Sequence, residues 1–597
     1  MPKGPFSKKA RISLLSILLI LSVLLSVSCS SFKARFDSRK NEKAIADAIV
    51  ILDEIDYKQL EESVTSSYLN MFYTLEDPEA LSIEMPKPDL GEISYDDYLE
   101  DLEEAEAVLE KLDTIDPSIL PEEYSILYDV LKYDMEEVLE FEDYYYFGSP
   151  FNSITGLQSN LPLTLVQMDF TDKESIEDYI AMINDVDRYY SDCMDFEKER
   201  AELGLTVADP YLNKLIESCQ SMLEGQDEHF MRTSFEERLD AVDGLTDAEK
   251  QDYIDQHEAA LTESFFPSYE MLIEGFTSLK GTSVNDGGIC NFESGKEYYE
   301  SYFQLRSGTD LTPEDAIEKI EENIDALYDE MYSLDISDEQ FWDDYYATVF
   351  SKGTIQENVD YCIEYIADDF PELPNHDLIL QQVPVQLEEF FSPAAYFTCR
   401  IDNPEKNVII TNESALEGET NLLDTVAHEG YPGHLFQNVY HASTVKNYYQ
   451  RIASFTAFSE GWAEYSGEYV LNGTDYDTDM IKVTYLDAKL QKLLMARVDI
   501  GVNYEGWDKD DISDFLAEYG MDYPEFIDWT WDIAIEIPCY ITPYCFGQLK
   551  TSEIIGNAVE KLGDDVPMID IHTAYLKIGP APFVIIEKYM DEFVNNT

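Results

Sequence analysis

A large, mainly α-helical fold, with a small β-sheet beside one metal-binding helix, is what this sequence predicts. Three observations carry that expectation. The chain has 597 residues, 45% of them hydrophobic, enough to bury a large core as two closely joined lobes. Through much of its length apolar residues recur at three- and four-residue steps, the helical period. Between Gln381 and Asn412 that period gives way to short β-rich runs, just ahead of a histidine-rich segment.

The first 28 residues read as a targeting segment. Lys3, Lys8, Lys9 and Arg11 form a basic start, Ile12 to Val27 an apolar stretch, and small Ser26 and Ser28 precede Cys29. This order resembles a lipoprotein signal peptide, with Cys29 the lipidated first residue of the mature chain. Ser26 departs from the leucine usual three residues before such a cysteine, and an uncleaved anchor helix is the alternative. Either form places the body outside the cytoplasm, attached to the cell membrane through its N-terminus alone. No later segment is apolar enough to span a bilayer.

The charge balance, 39 basic against 123 acidic residues and a net charge of −84, excludes nucleic acid as a partner. It also sets the body against an anionic membrane surface and favours neutral or cationic peptides in any cleft. Seven cysteines remain besides Cys29. An odd number at irregular spacing follows neither a zinc-knuckle nor a disulfide-framework pattern, so buried apolar packing is expected of most.

Residues 29–280 are expected to form an N-terminal helical lobe. In Tyr98 to Leu112, the residues Leu99, Leu102, Ala105, Leu109 and Leu112 share one helical face with acids between them, and Ile176 to Phe196 behaves alike. Gly281 to Gly295, rich in Gly, Asn, Asp and Ser, reads as a loop and a soft boundary. Residues 281–597 then form the second, catalytic lobe. It opens on a strong helix start: Thr312 as N-cap, Pro313 in the first turn, and Glu314 and Asp315 facing the positive end of the helix dipole. The β-rich runs are Val383 to Leu387, Ala395 to Arg400 and Asn407 to Asn412. Val408 to Asn412 is the candidate edge strand, able to pair with an extended peptide; a hairpin that only covers the core is the competing reading.

The centre of the chain is Leu423 to Tyr469, which holds three of the seven histidines. His428-Glu429-Gly430-Tyr431-Pro432-Gly433-His434 is close to H-E-x-x-H, in which two imidazoles one turn apart bind zinc and the glutamate is the base. Here the second histidine comes six residues on, about 240° round an ideal helix, so on a regular helix the rings would diverge. Pro432 and Gly433 break the helix there, and two residues absorbed at the break would bring His434 back to the ligand position. The third ligand expected is Glu460, in Ser459-Glu460-Gly461-Trp462-Ala463-Glu464-Tyr465, a context similar to the Asn-Glu-Gly-Phe-Ala of zinc aminopeptidases. Glu464, one turn further, is the candidate acid that orients a ligand, and His441 the alternative ligand. Packing of the histidines near a kink, with glutamates on a solvated face, is the reading without a metal.

These segments together resemble a bacterial family known as domain of unknown function 885, itself regarded as similar to the zincin metallopeptidases. The likeness includes Gly295-Lys296-Glu297-Tyr298-Tyr299, Leu305-Arg306 and Leu311-Thr312-Pro313-Glu314 upstream. Downstream it takes in Ala496 to Gly501, Gly506-Trp507, Pro538, Tyr544, Gly547, His572, Gly579, Pro582 and Glu587. Two departures stand out: Asn503 where a histidine is usual, and Pro538-Cys539-Tyr540 where Pro-Gly-Gln is common.

The resemblance implies a zincin-like fold and a zinc-dependent peptidase. One Zn²⁺, or another divalent ion, would be held by His428, His434 and Glu460 and would activate a water and polarise the scissile carbonyl. Glu429 would move the proton to the leaving amine. Tyr544, and after it His572, are the candidate donors to the developing oxyanion. Two other functions remain open: a lipid-anchored peptide-binding protein without activity, and a metal-dependent hydrolase of non-peptide amides or esters.

Overall fold

The computed structural model describes residues 41–597 apart from 384–387, 389–390 and 417. The signal segment, Cys29 and most of the Val383 to Leu387 run lie outside those residues. Helices dominate the described chain, from residues 41–65 to the last helix, Phe583–Asn596. Both helices singled out by periodicity form, as Tyr95–Leu112 and Lys173–Glu202. The helix Pro313–Tyr332 starts as its sequence dictates, with the Thr312 hydroxyl accepting from the Asp315 N–H at 3.1 Å. Gly281 to Gly295 is a loop broken by one short turn of helix, Ile289–Asn291. No described helix is long and apolar enough to cross a membrane.

The sheet has three strands, β1 (Asp377–Gln382), β2 (Ala394–Phe397) and β3 (Lys406–Thr411), in the order β1-β3-β2. β1 runs parallel to β3 and β2 antiparallel to it. This corrects one expectation. The Val408 to Asn412 segment lies in the central strand and is not an edge, and β1 ends just before the run beginning at Val383. Burial explains the placement of β3. Residues 407 and 409–411 are buried, as in a strand covered on both faces, with Ile409 packing into one hydrophobic core and Ile410 into another.

The expected lobes share those cores. One joins Leu52, Leu112 and Leu131 from the N-terminal helices to Trp462, Tyr575 and Phe583 from the C-terminal ones. A second gathers Ile176 to Phe276 and reaches Val383 and Ile410, and a third surrounds the long helix Thr478–Ile500. Six of the seven described cysteines are buried and all seven are free thiols, Cys290 being the partly exposed one.

Candidate metal centre

The helix Leu422–Glu429 ends one residue after His428, and a new helix, His434–Thr444, begins on His434 itself. Across the break the backbone bonds span six residues instead of four. Gly433 N–H donates to the Ala427 carbonyl at 2.9 Å, and Phe436 N–H to the Gly430 carbonyl at 3.1 Å. Two extra residues are thus looped out, as the sequence requires. The chain folds back so closely that a Cβ on Gly433 would lie 1.8 Å from the His428 carbonyl oxygen, so only glycine fits. The Tyr431–Pro432 peptide is cis, and the Trp462 indole N–H donates to the Pro432 carbonyl at 2.7 Å, fastening the break to the next helix.

The result is convergence. The imidazoles of His428 and His434 stand nearly perpendicular with centroids 4.8 Å apart. Glu460 Oε2 lies 3.5 Å from Nε2 of each. One ligand atom from each of the three lies within 4.8 Å of the others, the geometry of a single metal position. Glu460 Oε2 is buried and has no hydrogen-bond partner among the described residues, an arrangement that an ion would complete. Two imidazoles and a carboxylate are a donor set suited to zinc, so the residues fit the group. The local field points the same way. Burial opposes a charge on His428, yet the carboxylates of Glu460, Glu429 and Glu464 outweigh it and push its pKa up to about 9. Burial likewise opposes the Glu460 charge, and the two imidazoles overcome it, holding that carboxyl far below its usual range.

Glu429 sits outside the ligand set. Its Oε1 is 4.0 Å from His428 Nε2, and its Oε2 accepts from the backbone N–H of Tyr396 on β2 at 2.8 Å. The sheet therefore aims the proposed base. That donor is a backbone N–H and leaves no trace in the sequence.

Glu460 rides on the helix Thr456–Asn472, which crosses Thr542–Leu562 at two glycines. A Cβ on Gly461 would lie 2.3 Å from the Gly547 carbonyl oxygen, and one on Gly547 2.3 Å from that of Ala457. This close crossing brings Tyr544, in the first turn of the second helix, to the metal side. Burial, then the charges of Glu460, Tyr540, Glu429 and Glu464, drive the Tyr544 pKa far above its ordinary value. Its hydroxyl stays protonated and has no hydrogen-bond partner among the described residues.

Three candidates fall elsewhere. His572 is fully buried, its Nε2 2.8 Å from the Tyr465 hydroxyl and its Nδ1 2.7 Å from the Asp369 carbonyl, and its ring stacks on Phe370 at 4.0 Å. With both nitrogens engaged it packs beneath these helices and is not brought into the cluster of His428, His434 and Glu460. His441 is buried against Phe458 and stands outside the ligand cluster. Glu464 gives its carboxylate to Lys492 on the next long helix and reaches His428 through its charge, with no hydrogen bond to either histidine among the described residues.

Sequence reading also missed Asp424, one turn before His428. Its carboxylate fills the notch over Gly467, where a Cβ would lie 2.1 Å from Oδ1, and burial followed by the Glu464 charge pushes its pKa up to about 6. Asp499 lies in the Ala496 to Gly501 segment. It accepts from the Tyr299 hydroxyl at 2.5 Å and the Cys539 N–H at 3.0 Å, and so anchors the turn leading into the Tyr544 helix. Asn503, at the first departure, is buried and bonds the Ile289 N–H at 3.0 Å and the Ala534 carbonyl at 2.8 Å. That exchange alters a loop anchor and leaves the metal centre alone.

The model of the bacterial family of proteins of unknown function DUF885 matches residues 80–590. The chain belongs to DUF885. No curated protein matches it. Two solved structures share the DUF885 chain's fold. One, from Colwellia psychrerythraea and provisionally described as a lipoprotein, superposes with a TM-score of 0.81 at 17% identity, over 92% of this chain and 100% of its own. Another from Shewanella oneidensis, described likewise and as of unknown function, gives 0.61 at 16% identity, over 89% and 99%.

Proposed function

We propose that this DUF885 protein is a zinc-dependent hydrolase that cleaves peptide bonds outside the cytoplasm. The observation carrying the reading is the separation of roles within one centre. His428, His434 and Glu460 converge on a single point, while the adjacent Glu429 is held out of the ligand set by the Tyr396 N–H. Zinc bound there would supply Lewis-acid chemistry, acidifying water and polarising a carbonyl. Glu429, an acceptor aimed by the sheet, takes the proton of the attacking water and returns it to the leaving amine. Tyr544, kept protonated and unpartnered, donates to the oxyanion as charge develops. β2, whose Tyr396 N–H reaches Glu429, brings an edge of the sheet beside the centre, where an extended chain can align.

The N-terminal order of basic, apolar and small residues before Cys29 supports lipid attachment and an extracytoplasmic body, in keeping with the lipoprotein descriptions of both solved neighbours. The test joins metal analysis of the soluble body to mass-spectrometric mapping of cleavage in a mixed peptide library, run beside an amide and ester panel. About one zinc per chain with cleavage at peptide bonds is expected. Turnover confined to the panel points to a non-peptide hydrolase, and bound peptide without turnover to the binding protein.

A further inference from the structure

We infer that Arg306 is a receptor for the C-terminal carboxylate of a short peptide, and that the aromatic cavity beside it takes the terminal side chain. The inference rests on the peptidase reading for the direction of the substrate chain. Arg306 lies in the helix Gly295–Ser307 and makes one long hydrogen bond, from Nη1 to the Thr456 hydroxyl at 3.5 Å. Its Nε is buried without a partner, and no carboxylate among the described residues pairs with it. In a chain with 123 acidic residues against 39 basic, this guanidinium is left open to an anion from outside the chain. A guanidinium offers five N–H donors in a fork that matches a carboxylate. Arg200 shows such a fork filled, with Nη1 on both carboxylate oxygens of Glu197, at 2.9 and 2.7 Å, and its other nitrogens on carbonyls.

Position connects Arg306 to the metal centre. Thr456 precedes Glu460 by four residues on one helix, so the hydroxyl that Arg306 touches stands about one helical turn, ~6 Å along the axis, before the ligand. An extended peptide covers ~3.4 Å per residue, so this offset matches a leaving group of one to three residues. On its own helix Arg306 continues a ladder with Tyr302 and Tyr298, whose rings stack at 5.4 Å. Those two tyrosines, with Phe147, Phe151 and Pro538, line a cavity of about 270 Å³. Neither tyrosine hydroxyl has a hydrogen-bond partner among the described residues. Pro538 belongs to the turn that runs on through Tyr540, whose ring lies 6.2 Å from that of Tyr544. The cavity wall thus lies one turn along the same helix from Arg306, and Pro538 joins it to the turn that leads to Tyr544.

Calorimetric titration tests this without relying on turnover. The probes are Ala-Phe with a free carboxylate, the same dipeptide as its C-terminal amide, and Ala-Asp amide, which carries its carboxylate on a side chain. The wild type should bind the free acid at least about tenfold more tightly than either amide, and Arg306→Gln should bind all three alike. Arg306→Lys, which keeps the charge and loses the fork, should restore part of the preference. Equal affinity for acid and amide in the wild type, preference persisting in a folded Arg306→Gln, or Ala-Asp amide matching the free acid would each overturn the inference. In cleavage mapping, cuts one to three residues from a free C-terminus support it, and cuts indifferent to C-terminal amidation contradict it. Acid preference in binding with no cleavage of any peptide would sink the peptidase reading while leaving the carboxylate receptor standing.

Discussion

Two histidine environments in this molecule are close in space and opposite in design. His572 has both ring nitrogens bonded, to Tyr465 and to the Asp369 carbonyl, and a stacked phenyl ring beneath it. His428 and His434 present their Nε2 atoms to each other and to a carboxylate oxygen that has no partner. The electrostatics follow. Burial lowers the His572 pKa to about 4, whereas surrounding carboxylates raise that of His428 to about 9. A histidine spent on packing is sealed and neutral; the paired histidines sit among charges that a cation would balance.

The sharpest way to break the comparison is to delete one member of each kind. His434→Ala should take zinc from about one per chain to near none and abolish turnover. His572→Phe should keep its zinc. Metal analysis of the two purified variants decides it, and full retention in His434→Ala would move the site elsewhere.

Next in size is the base. Glu429→Gln keeps a hydrogen-bonding oxygen for the Tyr396 N–H but cannot accept a proton at neutral pH. Its kcat should fall about 10²–10⁴-fold with zinc retained, while Glu460→Gln should lose affinity for the metal along with rate. Wild-type rates in Glu429→Gln would remove the proposed mechanism.

A smaller effect reaches the centre through packing. Gly461→Ala drives a methyl to 2.3 Å from the Gly547 carbonyl, so the two helices must part. Chemical denaturation should show a loss of at least about 2 kcal/mol, and zinc affinity should weaken because Glu460 is the preceding residue.

Smallest in its reach to the centre is a pH effect. A buried neutral His572 has a folded pKa below its ordinary 6.5, so at pH 5 the unfolded chain binds a proton that the folded chain refuses. Its contribution is complete above about pH 6.5 and is lost as pH falls toward 4, at up to about 1.4 kcal/mol per pH unit. His229, His257 and His441 are depressed in the same direction by burial. In His572→Phe the slope of unfolding free energy between pH 6.5 and 4 should therefore flatten by about one proton and not vanish. At neutral pH the variant should lose about 1–3 kcal/mol from the Tyr465 hydroxyl left unpaired.

What could be read from the sequence follows the range of the interaction. The spacing of His428 and His434 about a Pro-Gly break, the Thr312 cap and the helical stripes are local, and each appears where the residues required. The order of the sheet is not local. Nothing in Asn407 to Asn412 tells whether it lies at an edge, because that depends on Asp377–Gln382 arriving parallel from the other side. His572 shared a family-like segment with useful residues, and only its burial shows that its nitrogens are spent. Glu464 lies at the right helical step to assist a ligand, but Lys492, 28 residues on, claims it. The Tyr396 amide that aims Glu429 is a backbone donor, which no residue pattern records. In sequence Arg306 is only part of a Leu-Arg pair, and its lack of a carboxylate emerges only once its neighbours are placed.

Anomalous diffraction at the zinc edge, from crystals of the soluble body grown with zinc, tests the central claim most directly. A single peak is expected about 2.0–2.2 Å from His428 Nε2, His434 Nε2 and the Glu460 carboxylate, with Glu429 outside the coordination sphere. A peak coordinated by Glu429, or one at a different place in the chain with these three residues left bare, would contradict the assignment of ligands and base.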